Sequence, residues 1–248
     1  MKPVALLRIH KFSLAVLTSL LFSGALLAQS EEGVLKESLI QPEAITDLER
    51  HHAVKRIGYL RNLTLKDIQR LKILIANFGK DVQGTQQDFE KIRETYKQAE
   101  ENYFRRQFKK SRDLHEDINR QVTEVYKKFT AHYQEQVAKL LTDCSESMTA
   151  LDFSRSSEPG VKKDVTRIIE KNQFRLRIAY NQLALAESQV REENFHNAIN
   201  HYRLAKVFAI NVLKHTQEDP AKAKELEEQY KLDLTDAQGR TLANTEEK

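Results

Sequence analysis

The residues of this chain whose types could do chemistry are few and scattered. Glu193 and His196 have the Glu-x-x-His spacing that sets two metal ligands on one helix face in di-iron bundles. Such a centre needs a second copy of the motif and two more inward carboxylates, and the chain holds one copy. His51 and His52 are adjacent and point to different sides of a helix. His196 and His201 are five residues apart and do not converge either. Nucleophilic catalysis needs a nucleophile, a base and an orienting group. No Gly-x-Ser-x-Gly elbow or phosphate-cradling loop occurs, and the seven glycines leave little room for one. Paired carboxylates are abundant but interleaved with Lys and Arg at helix spacing, the pattern of a solvated face. The expectation is therefore a non-enzymatic protein with no cofactor and no metal. The single cysteine, Cys144, falls on the apolar face of its helix, which fits a buried thiol or a disulfide between chains.

Two clusters point instead to contacts with other proteins. The first is Tyr103, Phe104, Arg105, Arg106, Phe108, Lys109, Lys110 and Arg112. One helix stripe has room for Tyr103 or for the pair Phe104 and Phe108, but hardly for all three rings. Some aromatic surface must then meet a second helix or a partner, and Arg beside exposed aromatics is what interface hot spots favour. Aromatic and basic interleaving also suits single-stranded nucleic acid, but an exported protein is not expected to meet it. The second cluster, from Leu185 to Ala205, resembles one tetratricopeptide-type unit. Leu185 and Ala186 stand where its first helix packs closely. Phe195 stands at the turn, and Ala198, Tyr202 and Ala205 take the small, aromatic and small positions of its second helix. No second copy occurs at the expected spacing of about 34 residues, and the turn glycine is missing.

These clusters must be carried by helices. From Thr85 to Glu158, and again from Val161 to Asp219, there is neither Gly nor Pro. Good helix formers dominate both stretches, and no β-alternation is present. The fold class expected is all-α, an elongated arrangement of long antiparallel helices. Pro42 can start a helix that Gly58 ends, and Thr64 can cap a second that Gly79 closes, giving a hairpin over 42–80. Leu65, Ile68, Leu71, Ile75 and Phe78 mark the inner face of that second helix. Over 85–152 the spacing predicts a long arm. Phe89, Ile92, Tyr96, Ala99 and Tyr103 step by 3 and 4, whereas the apolar positions from Leu114 to Leu151 average about 3.7. Unbroken, this arm would be a rod of about 100 Å. The change of period predicts a bend, shift or short break at Ser111–Asp113. A tetratricopeptide-like portion follows over 160–230, ending in a helix capped by Asp219 with Pro220 at its first position, and 231–248 reads as a disordered tail.

The first residues differ from the rest. Lys2, Arg8 and Lys11 precede an apolar run, Phe12–Phe22, and the small residues Ser23, Gly24, Ala25 and Ala28. That order predicts a secretory signal peptide over 1–28, followed by a polar leader over 29–41. The run is shorter than the roughly 20 residues of a permanent span, so no membrane span is expected after cleavage. Three of the 40 basic residues and none of the 36 acidic ones lie in 1–28, so the whole-chain charge of +4 falls to +1 without them. Near-neutrality offers no attraction to nucleic acid or to anionic membranes.

Taken together, a signal peptide, long helices without an active site, and the helix pair over Ala179–Leu213 resemble the flagellar-coiling proteins of leptospiral spirochaetes. The resemblance implies an all-helical, exported, periplasmic protein with long arms and a tetratricopeptide-like portion. It implies filament or sheath subunits as partners, self-association, and a role in filament curvature and motility. A helical adaptor or chaperone that binds a protein partner in the periplasm or at the surface is the alternative.

Overall fold

The chain folds as seven α-helices, with no strand, across the residues described by its computed structural model, 43–157, 163–217 and 219–242. The expected signal peptide and leader lie outside these residues. The helices are α1 (Asp47–Phe78), α2 (Thr85–Phe104), α3 (Phe108–Ser157), α4 (Lys163–Arg191), α5 (Phe195–Thr216), α6 (Pro220–Gln229) and α7 (Lys231–Ala237).

The first helix corrects the expected hairpin over 42–80. Pro42, which lies outside the described residues, does not start it. Thr46 does, through a capping box in which Thr46 Oγ1 accepts from Glu49 N–H (3.3 Å) and Glu49 Oε2 accepts from Thr46 N–H (2.8 Å). Gly58 does not end it either. A glycine inside a helix costs about 1 kcal/mol. The helix has a continuous buried face to set against that, running from Ala53, Ile57 and Leu60 through Thr64 and Asp67 to Leu71, Leu74 and Phe78. Thr64 therefore lies mid-helix and inward, and Leu65 turns out to solvent.

The long arm is also corrected. The break falls at Arg105–Gln107, before Ser111, and it is a full reversal. α2 runs back antiparallel along α3, with Ser111 Oγ donating to Ala99 O (2.9 Å) and Lys128 Nζ meeting Asp88 Oδ2 (2.6 Å). A straight rod would have left the stripe Phe89, Ile92, Ala99 wet, whereas the reversal buries all three. α3 alone still runs 50 residues, about 75 Å.

α3 is shared by two three-helix units. Its first half packs between α1, running parallel to it (Arg56 with Glu116, Tyr126 with Asp67), and antiparallel α2. Its second half packs against α5, which runs parallel to it (Cys144 with Ala209, Ser147 with Thr216), and antiparallel α4. Around Val125–Thr130 its buried arc widens to adjacent pairs, Val125 with Tyr126 and Phe129 with Thr130, because both units press on it there. One apolar cluster runs through both, from Leu71 to Leu213.

The expected disordered tail over 231–248 is corrected in its first part. Residues 231–237 form α7, and Asp236 is 1 % exposed. The residues past 242 lie outside the described part.

Candidate functional site

The aromatic and basic cluster sits at the reversal between α2 and α3. Arg105 N–H bonds Glu101 O, Arg106 N–H bonds Tyr103 O, and Gln107 N–H bonds Asn102 O, with Arg106 at φ 60°. This is the left-handed helix stop that usually takes glycine. The tight turn brings Tyr103 edge-on to both Phe104 (5.9 Å between ring centres) and Phe108 (5.6 Å). The Arg61 guanidinium covers the Tyr103 ring at 5.6 Å and pairs with Glu100. Glu43 reaches across to accept from the backbone N–H groups of Lys109 (2.8 Å) and Lys110 (3.3 Å), capping α3 with a negative charge at its positive end. Tyr103 and Phe108 are thereby half-buried. Phe104 remains 73 % exposed, with Arg105, Arg106, Lys109 and Lys110 exposed around it. Arg112 turns away to Asp113. The cluster is thus a surface feature: one exposed ring resting edge-on to Tyr103, with exposed cations beside it in sequence.

The helix pair α4–α5 buries Ala186, Ala198, Tyr202 and Ala205 completely, and Phe195 almost so, beneath the Lys127 ammonium at 5.6 Å. Leu185 departs from its expected packing role. It is 47 % exposed, because Ala186 takes the inward position. The turn repeats the hydrogen bonds of the first one. Glu192 N–H bonds Ser188 O, Glu193 N–H bonds Val190 O, Asn194 N–H bonds Gln189 O, and Glu193 has φ 56°.

The parallel goes further than the turn. At a constant offset in sequence, Arg106 matches Glu193, Phe108 matches Phe195, buried Ala99 matches buried Ala186, and buried Ser111 matches buried Ala198. Ile92 with Ala179, Ile118 with Ala205 and Val122 with Ala209 continue it, all buried. The chain therefore contains the hairpin design twice, α2–α3 and α4–α5. The two turns, at Arg106 and Glu193, are 87 residues apart (193 − 106), far beyond tetratricopeptide spacing, because α3 runs well past its partner α2. The legible signal is a small residue seven before the turn, then Phe two after it and a small residue five after it.

What the sequence reading missed altogether is a buried charge cluster where α1, α3, α5 and α7 meet. Arg203 and Lys206 stand three apart inside the apolar stripe of α5, and Asp233 and Asp236 three apart on α7. The Asp236 carboxylate accepts from Arg203 Nε and Nη2 (both 2.8 Å), from Asn77 Nδ2 (2.8 Å) and from the Tyr133 hydroxyl. Lys206 pairs with Asp233, donates to Gln136 Oε1 (2.5 Å), and lies 4.8 Å from the centres of the Phe78 and Tyr133 rings. Burial opposes the charge on Arg203, but the bonds it donates to Asp236 hold its guanidinium protonated more firmly than usual. Burial pushes the Lys206 ammonium down and the Tyr133 hydroxyl well up, the latter aided by the Asp236 charge. The cluster is a fastener. Its charges pair with one another, and Lys206 and Asp233 also line a small cavity with Gln136, Asp143 and Tyr230.

Of the remaining reactive types, Cys144, His196 and His201 are wholly or partly buried, whereas His51, His52 and Glu193 are exposed. Cys144 is fully buried, its thiol directed at Ala209 O (3.2 Å), and burial raises its pKa to about 12, so it is a poor nucleophile. This placement suits the buried thiol and leaves no sulfur at the surface for a bond between chains. His196 lies beside the Tyr126 ring (5.9 Å), and His201 Nδ1 meets Gln182 Oε1 (2.8 Å). Among the described residues no three His, Cys, Asp or Glu side chains converge on a point that could hold a metal. None of the described helices is long and apolar enough to cross a membrane. Comparison with family models, curated proteins and solved structures returns no match.

Proposed function

We propose that this chain is a non-enzymatic structural protein of the periplasm, a sheath component that lies against a flagellar filament and helps set its curvature and so its motility. The observation that carries the reading is the α2–α3 tip. Phe104 is 73 % exposed and edge-on to Tyr103, which also meets Phe108, and the neighbouring Arg105, Arg106, Lys109 and Lys110 are exposed as well. An exposed aromatic ring beside Arg is the composition that protein interfaces favour. Long helices that share one spine, α3, provide the stiffness a lateral spacer needs. The signal-like N-terminus supports export, and the resemblance to flagellar-coiling proteins supplies the filament.

The test is fractionation of cells with isolated flagella as one fraction, followed by co-sedimentation with purified filaments. Wild-type protein is expected in the filament fraction. Phe104→Glu combined with Arg106→Glu is expected to weaken co-sedimentation at least tenfold with helicity unchanged. Protein found wholly in the soluble envelope fraction would sink the filament reading. The duplicated hairpin would then favour the second one, a helical adaptor holding a soluble protein partner, which a pull-down from that fraction would identify.

A further inference from the structure

The two hairpins, built alike, differ on their outer faces. On α4, Phe174 (57 % exposed), half-exposed Ile178 and Leu185 (47 %) form a stripe at spacings of four and seven residues. At 100° per residue this stripe lies about 120° round the helix from the buried Asn172, Ala179 and Ala186. Across the His201–Gln182 contact, Leu204 (45 % exposed) and half-exposed Phe208 continue it on α5. The matching positions of the first hairpin are Gln87, Lys91 and Gln98 on α2, with Asp117 and Gln121 on α3. There the α2 side chains are solvated, and Gln121 bonds Asp117 (2.6 Å). The hairpin design therefore does not require apolar residues on this face. Five apolar side chains stand where the other copy has five polar ones, which marks a surface that is covered in use.

We propose that this face joins two copies of the chain, α4 of one lying antiparallel against α4 of the other. The charges along α4 select that occupant and that direction. Arg167, Lys171 and Arg177, with Glu170 among them, border the stripe at its start and leave it net positive, and Glu192 borders its end. A parallel pair would set each cation against its own copy. An antiparallel pair sets Phe174 against Leu185 of the second copy and Arg167 against its Glu192, twice over by symmetry. The steps of four and three along 174, 178, 181 and 185 are those of a helix seam between two helices. With Asn181 inside it, the seam is short, and the association belongs to the weak, concentration-dependent class. The inference stands apart from the filament reading, because it uses a different face and needs no other protein.

Sedimentation velocity on the purified protein from low micromolar to near-millimolar concentration is the test. A monomer–dimer equilibrium is expected. Ile178→Glu with Leu185→Glu should raise the dissociation constant at least tenfold while leaving the circular dichroism spectrum unchanged. Lys91→Glu with Gln98→Glu, the same change on the first hairpin, should leave it where it was. Arg167→Glu alone and Glu192→Arg alone should each weaken the dimer, and the two together should restore it. A strictly monomeric wild type, or a dimer indifferent to Ile178→Glu with Leu185→Glu, would overturn the surface. Failure of the double charge exchange to restore association would overturn the antiparallel pairing.

Discussion

Asp236 accepts four hydrogen bonds from three helices, and its carboxylate is almost wholly out of water. Truncating it leaves the Arg203 guanidinium buried without a counter-charge, the expensive way to break an ion pair. Asp236→Ala is expected to cost about 3–5 kcal/mol in urea unfolding. Tyr133→Phe, which removes one donor and no charge, should cost about 1–2 kcal/mol. Histidines held neutral by burial, namely His115, His196 and His132, set the acid limit. Burial, with Arg61 nearby, lowers the His115 pKa from 6.5 to about 4, and burial, with Arg70 and Arg203, does the same at His196. Both His115 ring nitrogens lack a hydrogen-bond partner, and Nε2 stands 3.6 Å from Glu100 Oε1. In the folded chain these rings stay neutral where the unfolded chain takes up protons. Stability should therefore fall as pH drops from about 6.5 towards 4, and not on the alkaline side. His115→Leu should flatten the melting temperature against pH in that window, and an unchanged slope would exclude His115 as its source.

At the scale of helices and turns, local propensity is overruled where burial is at stake and obeyed where it is not. Gly58 sits inside α1, with nothing within 4 Å of the place its Cβ would occupy. Gly58→Ala should therefore stabilise by about 0.5–1 kcal/mol, read as a rise in melting temperature. The reverse holds at the hairpin turns. Arg106 (φ 60°) and Glu193 (φ 56°) occupy the left-handed region with full side chains. Arg106→Gly and Glu193→Gly should each be neutral or gain up to about 1 kcal/mol, because relief of the backbone clash is offset in part by the freer unfolded chain. A clear loss at either position would show that its side chain, not the turn, holds the hairpin.

For the described body as a whole, the C-terminal α7 closes the joint between the two three-helix units. Asn77 lies in the last turn of α1, Tyr133 is midway along α3, and Arg203 lies on α5, and each bonds Asp236. Asn77 also donates to Arg240 O (2.9 Å), fastening the chain just after α7. Deleting the chain from Lys231 onward should expose Arg203, Lys206 and Tyr133 together. Faster amide exchange is expected first at the end of α1 and the middle of α5, with the α2–α3 tip unaffected. Uniform acceleration throughout would instead mean that the body unfolds as one unit.

How far such features can be read from the chain depends on the distance over which they are decided. Helices, and the inward positions of α3 from Ile118 to Leu151, follow from breaker-free composition and a regular apolar period, which are local properties. The small and aromatic positions at Ala198, Tyr202 and Ala205 were legible for the same reason. The reversal at Arg105–Gln107 was not, because neither glycine nor proline marks it. It exists because burying Phe89, Ile92 and Ala99 against α3 outweighs continuing the helix. Leu185 gave way to Ala186 by a rotation of one residue that only the partner helix sets. The pairing of Arg203 and Lys206 with Asp236 and Asp233 joins helices far apart in sequence, and no local pattern distinguishes those four from the many charges on solvated faces. Sequence alone thus determined which segments are helical and most of their inward sides. The tertiary structure decided where the chain folds back, which charges are buried, and which apolar residues remain outside, because those outcomes depend on surfaces that meet only once the helices have packed.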